Sequence, residues 1–464
     1  MEQQLSRPSD PGARATAGPR SGSRLGWLDA LRGLAAAVVA LYHFNLPYLI
    51  PYGVTVGDRF DYGIYGVMLF FLVSGYIVPA SLERRGDVRA FWIGRLFRIH
   101  PVLLVVVAGS LLVLPTAHRV VAGFAYEHPL LSVVANGMLL QDLTGVPNAL
   151  NVMWTLSYEM VFYFFVTALF VLGLHRRSAP IAVSLAAAAL LLGGVASQAA
   201  LSVDPLSTRH LVLSCAVVAV MGLACVLSGN PALTRTGALL LGALGLVLAG
   251  CNGRASLFET LMIFATMFSG TVLHRAENGQ LARLPAALCC GFVIAAGFLV
   301  GALYDDGPAL ARTFSSTWMS WSYAYVGAWV TFALGMALRR RRFPRVLGWL
   351  GAVSYSLYLL HNPVVHAMDW LLEGHPFPRT GPGKFIPTAI FVVVVLALSH
   401  LAHRLVELPA QKLGRRVLRA LPSASLLPPA DSPAQAVPSP VLPTPAAPAA
   451  TVATEHERAP VGGR

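Results

Sequence analysis

The side chains in this sequence with the types and spacing for chemistry are few, and each sits in an apolar setting. Arg32 and His43 lie in the stretch GWLDALRGLAAAVVALYHFNLPYL, eleven positions apart. On an α-helix that spacing is about 16 Å along the axis and roughly 20° around it, so the two share a face. A charged side chain in hydrocarbon costs several kcal/mol, which suggests a stripe facing a lined cavity. The simpler reading is that Arg32 snorkels to the headgroups and His43 caps a helix–helix contact. Arg95 and Arg98, in FWIGRLFRIHP, are three apart and therefore neighbours on one face. They are either positive anchors or a phosphate clamp, for which the guanidinium fork is well shaped. Glu159, in WTLSYEMVFYFF, is a carboxylate inside an apolar run, and Tyr358 and His361 share a face in SYSLYLLHNPVVH. An imidazole and a carboxylate at similar depth can exchange protons, and the arginines can hold an anion.

The elements that must position these groups follow from composition. Of 464 residues, 56% are hydrophobic and 12% charged, with a mean hydropathy of +0.63. Soluble domains carry about 25% charged residues. The chain is expected to be an all-α polytopic helix bundle in the plasma membrane. The net charge of +13 is almost wholly arginine, clustered in short loops between apolar runs. That pattern orients membrane helices and does not point to nucleic acid. Cys215, Cys225, Cys251, Cys289 and Cys290 form no C-x-x-C and read as packing residues.

Apolar runs long enough to cross fall at about 26–49, 63–82, 95–115, 152–174, 179–200, 210–228, 234–251, 255–274, 284–304, 318–338, 345–371 and 385–408. This gives ten to twelve crossings. Arg84, Arg85, Arg176, Arg177, Arg235, Arg275, Arg339 to Arg342 and Lys412 to Arg419 fall in alternate loops, while Asp58, Asp61, Asp204, Asp305, Asp306 and Glu373 fall in the others. Both termini are then cytoplasmic. His43, Glu159 and His361 come out in the outer half, with Arg95, Arg98 and Arg32 toward the cytoplasm. His128 to Gly145 breaks the alternation and is expected to be re-entrant or interfacial. Residues 1–24 and 421–464 read as disordered tails around a membrane domain at 25–420. Arg32 and His43 in the first apolar run argue against a cleaved signal peptide. No segment reads as an appended soluble enzyme. Ser74–Gly75 is expected to serve helix packing, and Arg404 and Glu407 are spaced to pair.

Taken together, LDALRGLAAAVVALYHF, FFLVSGYIV, RLFRIHP, WTLSYEMVFYFF, SYSLYLLH and ELPAQK resemble, in order, the motifs of the acyltransferase-3 family of integral membrane acyltransferases. Gly94 stands where that family often has Arg. The resemblance implies transfer of an acyl group from cytoplasmic acyl-CoA, acetyl-CoA first, to a hydroxyl of a carbohydrate or glycoside acceptor. It also implies that His43 is essential, Arg32 supports it, and Arg95, Arg98 and Arg32 engage the CoA phosphates. Acyl transfer to an alcohol needs a base and a stabilised oxyanion. His43 is the expected base, Glu159 the first candidate to orient it, and His361 or Tyr358 the group that orients the acceptor or polarises the thioester. No metal or redox cofactor is implied. The competing reading is a proton-coupled transporter or flippase that uses the same groups as a relay.

Overall fold

In hydrocarbon every backbone N–H and C=O must be satisfied within its own segment, and long apolar runs therefore become helices. The computed structural model describes residues 26–44, 46–50, 52–114, 127–194, 199–253, 256–304, 317–371 and 382–422. The tails expected at 1–24 and beyond Pro422, and Asp305, Asp306 and Glu373, lie outside the described residues.

The described helices are α1 (Gly26–Phe44), α2 (Tyr62–Arg85), α3 (Val88–Val113), α4 (Pro129–Met138), α5 (Trp154–Val171), α6 (Ser178–Leu192) and α7 (Pro205–Leu227). They continue with α8 (Pro231–Cys251), α9 (Leu257–Glu277), α10 (Arg283–Tyr304), α11 (Trp318–Ala337), α12 (Arg345–Leu371), α13 (Phe385–Ala402) and α14 (Leu408–Ala420), the last two joined by a π-turn at His403–Glu407. Among the described residues there is no strand. Nine of the described helical segments are long and apolar enough to cross a membrane. The expected crossings at 179–200, 318–338 and 345–371 are helices that fall short of that measure, α6 because it has only 15 residues. In α11 and α12 polar and aromatic side chains interrupt the apolar run. Large apolar side chains such as Leu104, Leu112, Val220, Leu246, Leu288 and Val393 point outward, as a lipid-facing surface requires.

Several boundaries move for identifiable reasons. The first described helix is Gly26–Phe44, and a separate short helix, Leu46–Leu49, follows with Pro47 at its second position. α3 starts at Val88, ahead of the expected residue 95, because the Asp87 carboxylate caps the Ala90 N–H at 2.8 Å. The segment expected to be re-entrant holds α4, whose 10 residues span only about 15 Å, and a 3-10 turn at Gln141–Leu143. Several of its polar groups pair within the protein. Gln141 Nε2 donates to Asn148 Oδ1 (2.7 Å), Asn148 Nδ2 to Asp142 Oδ1 (3.0 Å), and the Ala149 N–H to Asn136 Oδ1 (2.8 Å). This network fixes the chain just before α5 and so sets where Trp154, Thr155 and Glu159 stand.

Basic helix ends lie together. Arg275 binds Glu83 at 2.5 Å and the His175 carbonyl at 2.6 Å, and Arg339 binds Glu277 at 2.8 Å, which joins the C-terminal ends of α2, α5, α9 and α11. Glu407 departs from the expected pairing with Arg404. The π-turn rotates Glu407 inward, where it accepts from His403 Nδ1 (2.9 Å), Ser356 Oγ (3.2 Å) and Gln411 Nε2 (3.2 Å), and leaves Arg404 exposed.

Helix register depends on glycines. A Cβ at Gly33 would sit 2.8 Å from the Gly351 nitrogen, and one at Gly351 would sit 2.1 Å from the Asp29 carbonyl oxygen. α1 and α12 therefore touch backbone to backbone. Gly75 and Gly270 do the same for α2 and α9, with Thr271 Oγ1 donating to the Gly75 carbonyl at 2.8 Å. Gly75 thus serves close packing, while Ser74 lines a cavity between helices and donates to Glu159 Oε1 at 3.4 Å. Replacing Gly351 by Ala should force the two helices apart and cost about 1–3 kcal/mol. Thermal unfolding of the detergent-purified protein should show that loss, while Gly94→Ala, inside a helix and with nothing within 4 Å of the added Cβ, should be at least as stable as the wild type.

Candidate active site

Ten residues beyond the Gly33–Gly351 contact on each helix stand His43 and His361. Both pairs being in contact, α1 and α12 run parallel. His361 Nε2 lies 3.3 Å from His43 Nδ1, with the ring centroids 5.1 Å apart. His43 Nδ1 is also 3.0 Å from the Val39 carbonyl oxygen, and His361 Nδ1 is 3.3 Å from that of Leu357. A carbonyl only accepts, so in the neutral rings each Nδ1 carries the proton. His361 Nε2 is then an acceptor and shares the His43 Nδ1–H with Val39. His43 Nε2 keeps its lone pair, which is the state a base needs.

Glu159 is not part of this pair. Its Oε1 accepts from Tyr163 OH at 2.5 Å and from Ser74 Oγ at 3.4 Å, one helix turn away on α5 and across on α2. It lines a different cavity, of about 90 Å³, between α1, α2, α3, α5 and α12, together with Arg32, Arg95, Arg98, Tyr355 and Tyr358. Arg95 packs its guanidinium over Phe91 and Tyr163, 5.1 Å from each ring centroid, and donates to Ser81 Oγ at 3.1 Å. Arg32 and Arg98 have no hydrogen bond or ion pair among the described residues. Two guanidiniums that line one cavity without partners make a site for an anion. Apolar side chains, among them Val67, Phe70, Ile77 and Leu156, form the rest of the wall.

His43 opens on a second cavity of about 240 Å³, lined also by Tyr42, Asp61, Asn151 and Trp154. Tyr358 and Val67 line both cavities and stand between them. The Tyr358 hydroxyl is held by Thr155 Oγ1 (2.8 Å) and donates to the Val152 carbonyl (3.1 Å). Of the groups expected to act, Arg32, Arg95, Arg98 and Glu159 come together in one cavity, His43 and His361 meet beside the other, and Tyr358 touches both. Sequence reasoning passed over Thr155, Tyr163, Tyr42 and Asp61. Tyr163 was within reach, since it falls one turn after Glu159 on the same face. Asp61 also carried a signal, as a cap residue three before Ile64, whose N–H it accepts at 2.8 Å. Among the described residues no group of three His, Cys, Asp or Glu is placed to hold a metal ion.

Comparison with known proteins adds to this geometry. A family model described as "Acyltransferase domain" matches residues 25–403. The "Putative peptidoglycan O-acetyltransferase" of Bacillus subtilis (strain 168) is 24% identical over 417 residues, 84% of this chain and 55% of that protein. A "Putative O-acetyltransferase" of Staphylococcus aureus (strain COL) is 29% identical over 153 residues, 30% of this chain and 23% of that protein. A "Peptidoglycan O-acetyltransferase" of Listeria monocytogenes is 28% identical over 151 residues, 29% of this chain and 22% of that protein. The chain thus spans about half or less of the length of these relatives. No solved structure matches it significantly.

The arginine-lined cavity makes its own prediction. Adenosine 3′,5′-bisphosphate should raise the unfolding temperature of the wild type, with about 2.7 kcal/mol of stabilisation at a hundredfold excess over Kd. Arg32→Ala combined with Arg98→Ala should remove that shift, read by thermal unfolding.

Proposed function

The chain belongs to the acyltransferase-3 family, and on that premise we propose that it is a membrane O-acyltransferase carrying an acyl group, acetyl first, from cytoplasmic acyl-CoA to a hydroxyl of a sugar-containing acceptor. The observation that carries the reading is the pair of cavities meeting at Tyr358 and Val67, one lined by arginines and the other by a histidine with a free Nε2. Two of the relatives have peptidoglycan in their names, which favours a glycan as acceptor.

In this reading Arg98, Arg95 and Arg32 hold the phosphates of acyl-CoA, and the acyl end lies along the apolar wall toward Tyr358. The acceptor hydroxyl gives its proton to His43 Nε2 as its oxygen attacks the thioester carbonyl. The oxyanion forms beside Tyr358 and Thr155, and one of these hydroxyls turns its proton from its present acceptor, the Val152 carbonyl in the case of Tyr358, to the developing charge. Collapse of the intermediate breaks the carbon–sulfur bond, and the proton returns to the departing thiolate, so the products are ester and free CoA. His361 is a positioning residue that holds His43 in the tautomer with Nε2 unprotonated. Glu159 offsets part of the arginine charge and, through Tyr163, keeps Arg95 in place.

Two experiments test this. His43→Ala should lower labelled acetyl transfer in membranes by about 10²- to 10⁴-fold, and the wild-type rate should rise with pH as the imidazole loses its proton. Transfer that survives the substitution unchanged would exclude His43 as base. With the native cysteines replaced, a cysteine at Arg341 should react only with a membrane-permeant reagent and one at Asp58 also with an impermeant reagent added outside. The reverse pattern would put donor and acceptor on opposite sides from those proposed.

A further inference from the structure

Acyl transfer makes no use of the last helix, α14, yet its cations are arranged rather than scattered. We infer that Lys412, Arg415, Arg416 and Arg419 form a binding surface for the headgroups of anionic phospholipids at the edge of the bilayer. This surface stands apart from the acyl-transfer site and does not depend on the reaction performed there.

The four residues fall at i, i+3, i+4 and i+7 and so lie along one face of a helix. All four are exposed, and none makes an ion pair among the described residues. Leu408–Ala420 contains no Asp or Glu to offset them. The opposite side of the helix is the one that docks. A Cβ at Gly414 would stand 2.8 Å from the Phe97 Cβ, and Gly414 lies roughly 150° around the helix from the middle of the basic stripe. Farther along, Arg89 Nη2 donates to the Pro422 carbonyl. α14 therefore runs antiparallel along the first turns of α3, with its cations turned outward.

Depth decides what those cations meet. The other end of α3 carries exposed apolar side chains, Leu112 and Val113, that belong in hydrocarbon. Counted from Val113, Phe97 lies about 24 Å along the helix and Arg89 about 36 Å. A hydrocarbon layer is about 30 Å thick, so the stripe spans its edge, at the level of the headgroups. Pro382–Ala420 is itself one helical stretch of 39 residues, about 58 Å long, well beyond what a crossing needs. Cations at that level are drawn to anionic lipid, and a guanidinium fork fits a phosphate. The arginine-lined cavity lies on another side. Phe97 stands roughly 150° around α3 from the face bearing Arg95, Arg98 and Ile99, which line that cavity. The stripe on α14 therefore faces headgroups rather than a ligand held by Arg32 and Arg98.

The test uses the purified full chain in nanodiscs of equal parts phosphatidylcholine and phosphatidylglycerol, with the lipids that stay bound counted by native mass spectrometry. The wild type should retain phosphatidylglycerol over phosphatidylcholine by about threefold or more. Lys412→Gln, Arg415→Gln, Arg416→Gln and Arg419→Gln combined place a good helix former at exposed positions and should lower that preference by about half or more. Removing the same charge from another exposed cluster, by Arg340→Gln, Arg341→Gln, Arg342→Gln and Arg345→Gln, should lower it distinctly less. Phosphatidylglycerol should also raise the unfolding temperature of the wild type above its value in phosphatidylcholine alone, and salt at about 1 M, where the screening length is about 3 Å, should remove the rise. In phosphatidylcholine discs the KM for acetyl-CoA should be the same for the wild type and the α14 variant. Equal retention of the two lipids by the wild type, or an equal loss in both combined variants, would overturn the surface. So would an α14 variant whose KM for acetyl-CoA rises about tenfold while its lipid retention stays unchanged, since the stripe would then serve the donor. Were no acetyl-CoA turnover found, the acyl-transfer reading would fall and the lipid counts would still decide this surface.

Discussion

The close approach of α1 and α12 is the constraint on which the rest of the site depends. Two glycines, Gly33 and Gly351, bring the backbones into contact, and the rigid rise of about 1.5 Å per residue carries that register to His43 and His361. A hydrogen bond between two rings tolerates only a few tenths of an ångström. Parallel helices held at one backbone contact supply that tolerance better than loops can. The same device recurs at Gly75 and Gly270, where α2 and α9 interlock and α2 is fixed beside α1. Small residues at helix contacts are how a membrane bundle gains packing when lipid offers no hydrophobic driving force between helices.

Charge is placed with equal economy. Arg32 and Arg98 line one cavity with no partner among the described residues, and Arg95 shares it with aromatic rings. Like charges in a low-dielectric interior repel, so the arrangement stores a preference for an anionic ligand. Two carboxylates keep that preference within bounds. Glu159 stands in the cavity itself, and Glu407 is locked by His403, Ser356 and Gln411 in a buried network. The inward turn of Glu407 depends on the π-turn at His403–Glu407, a local geometry often found at functional sites.

The helices were legible in the sequence because apolar length is a local property. The alternation of arginine clusters agreed with the joined basic ends of α2, α5, α9 and α11 because charge bias acts loop by loop. The Arg32–His43 stripe was legible for the same reason, since one helix contains both. Contacts between helices were not legible. Glu159 was expected at the depth of His43, yet it lines the cavity of Arg32, Arg95 and Arg98, and His361 occupies the position beside His43. The Arg404–Glu407 spacing suits an ordinary helix, and the π-turn changes the angle between them. Asp61 was read only as a loop charge, because its position beside Tyr42 depends on the absence of a side chain at Gly63.

The partition between the two cavities follows from the chemistry on either side. In the proposed reaction the thioester must be kept from water until the acceptor is in place, and His43 opens on the larger of the two cavities. Val67 and Tyr358 stand where both cavities end, and Tyr358 is tied to Thr155 and the Val152 carbonyl, so the wall is one side chain thick and held by α5. A thicker wall would leave His43 too far from any carbonyl held on the arginine side. An open one would let ions and water through a bundle whose interior already carries unpaired positive charge. A single hydrogen-bonded tyrosine satisfies both demands: its ring blocks the path, and its hydroxyl, tied to Thr155 and the Val152 carbonyl, stays at the junction where the proposed reaction would draw its proton toward the oxyanion.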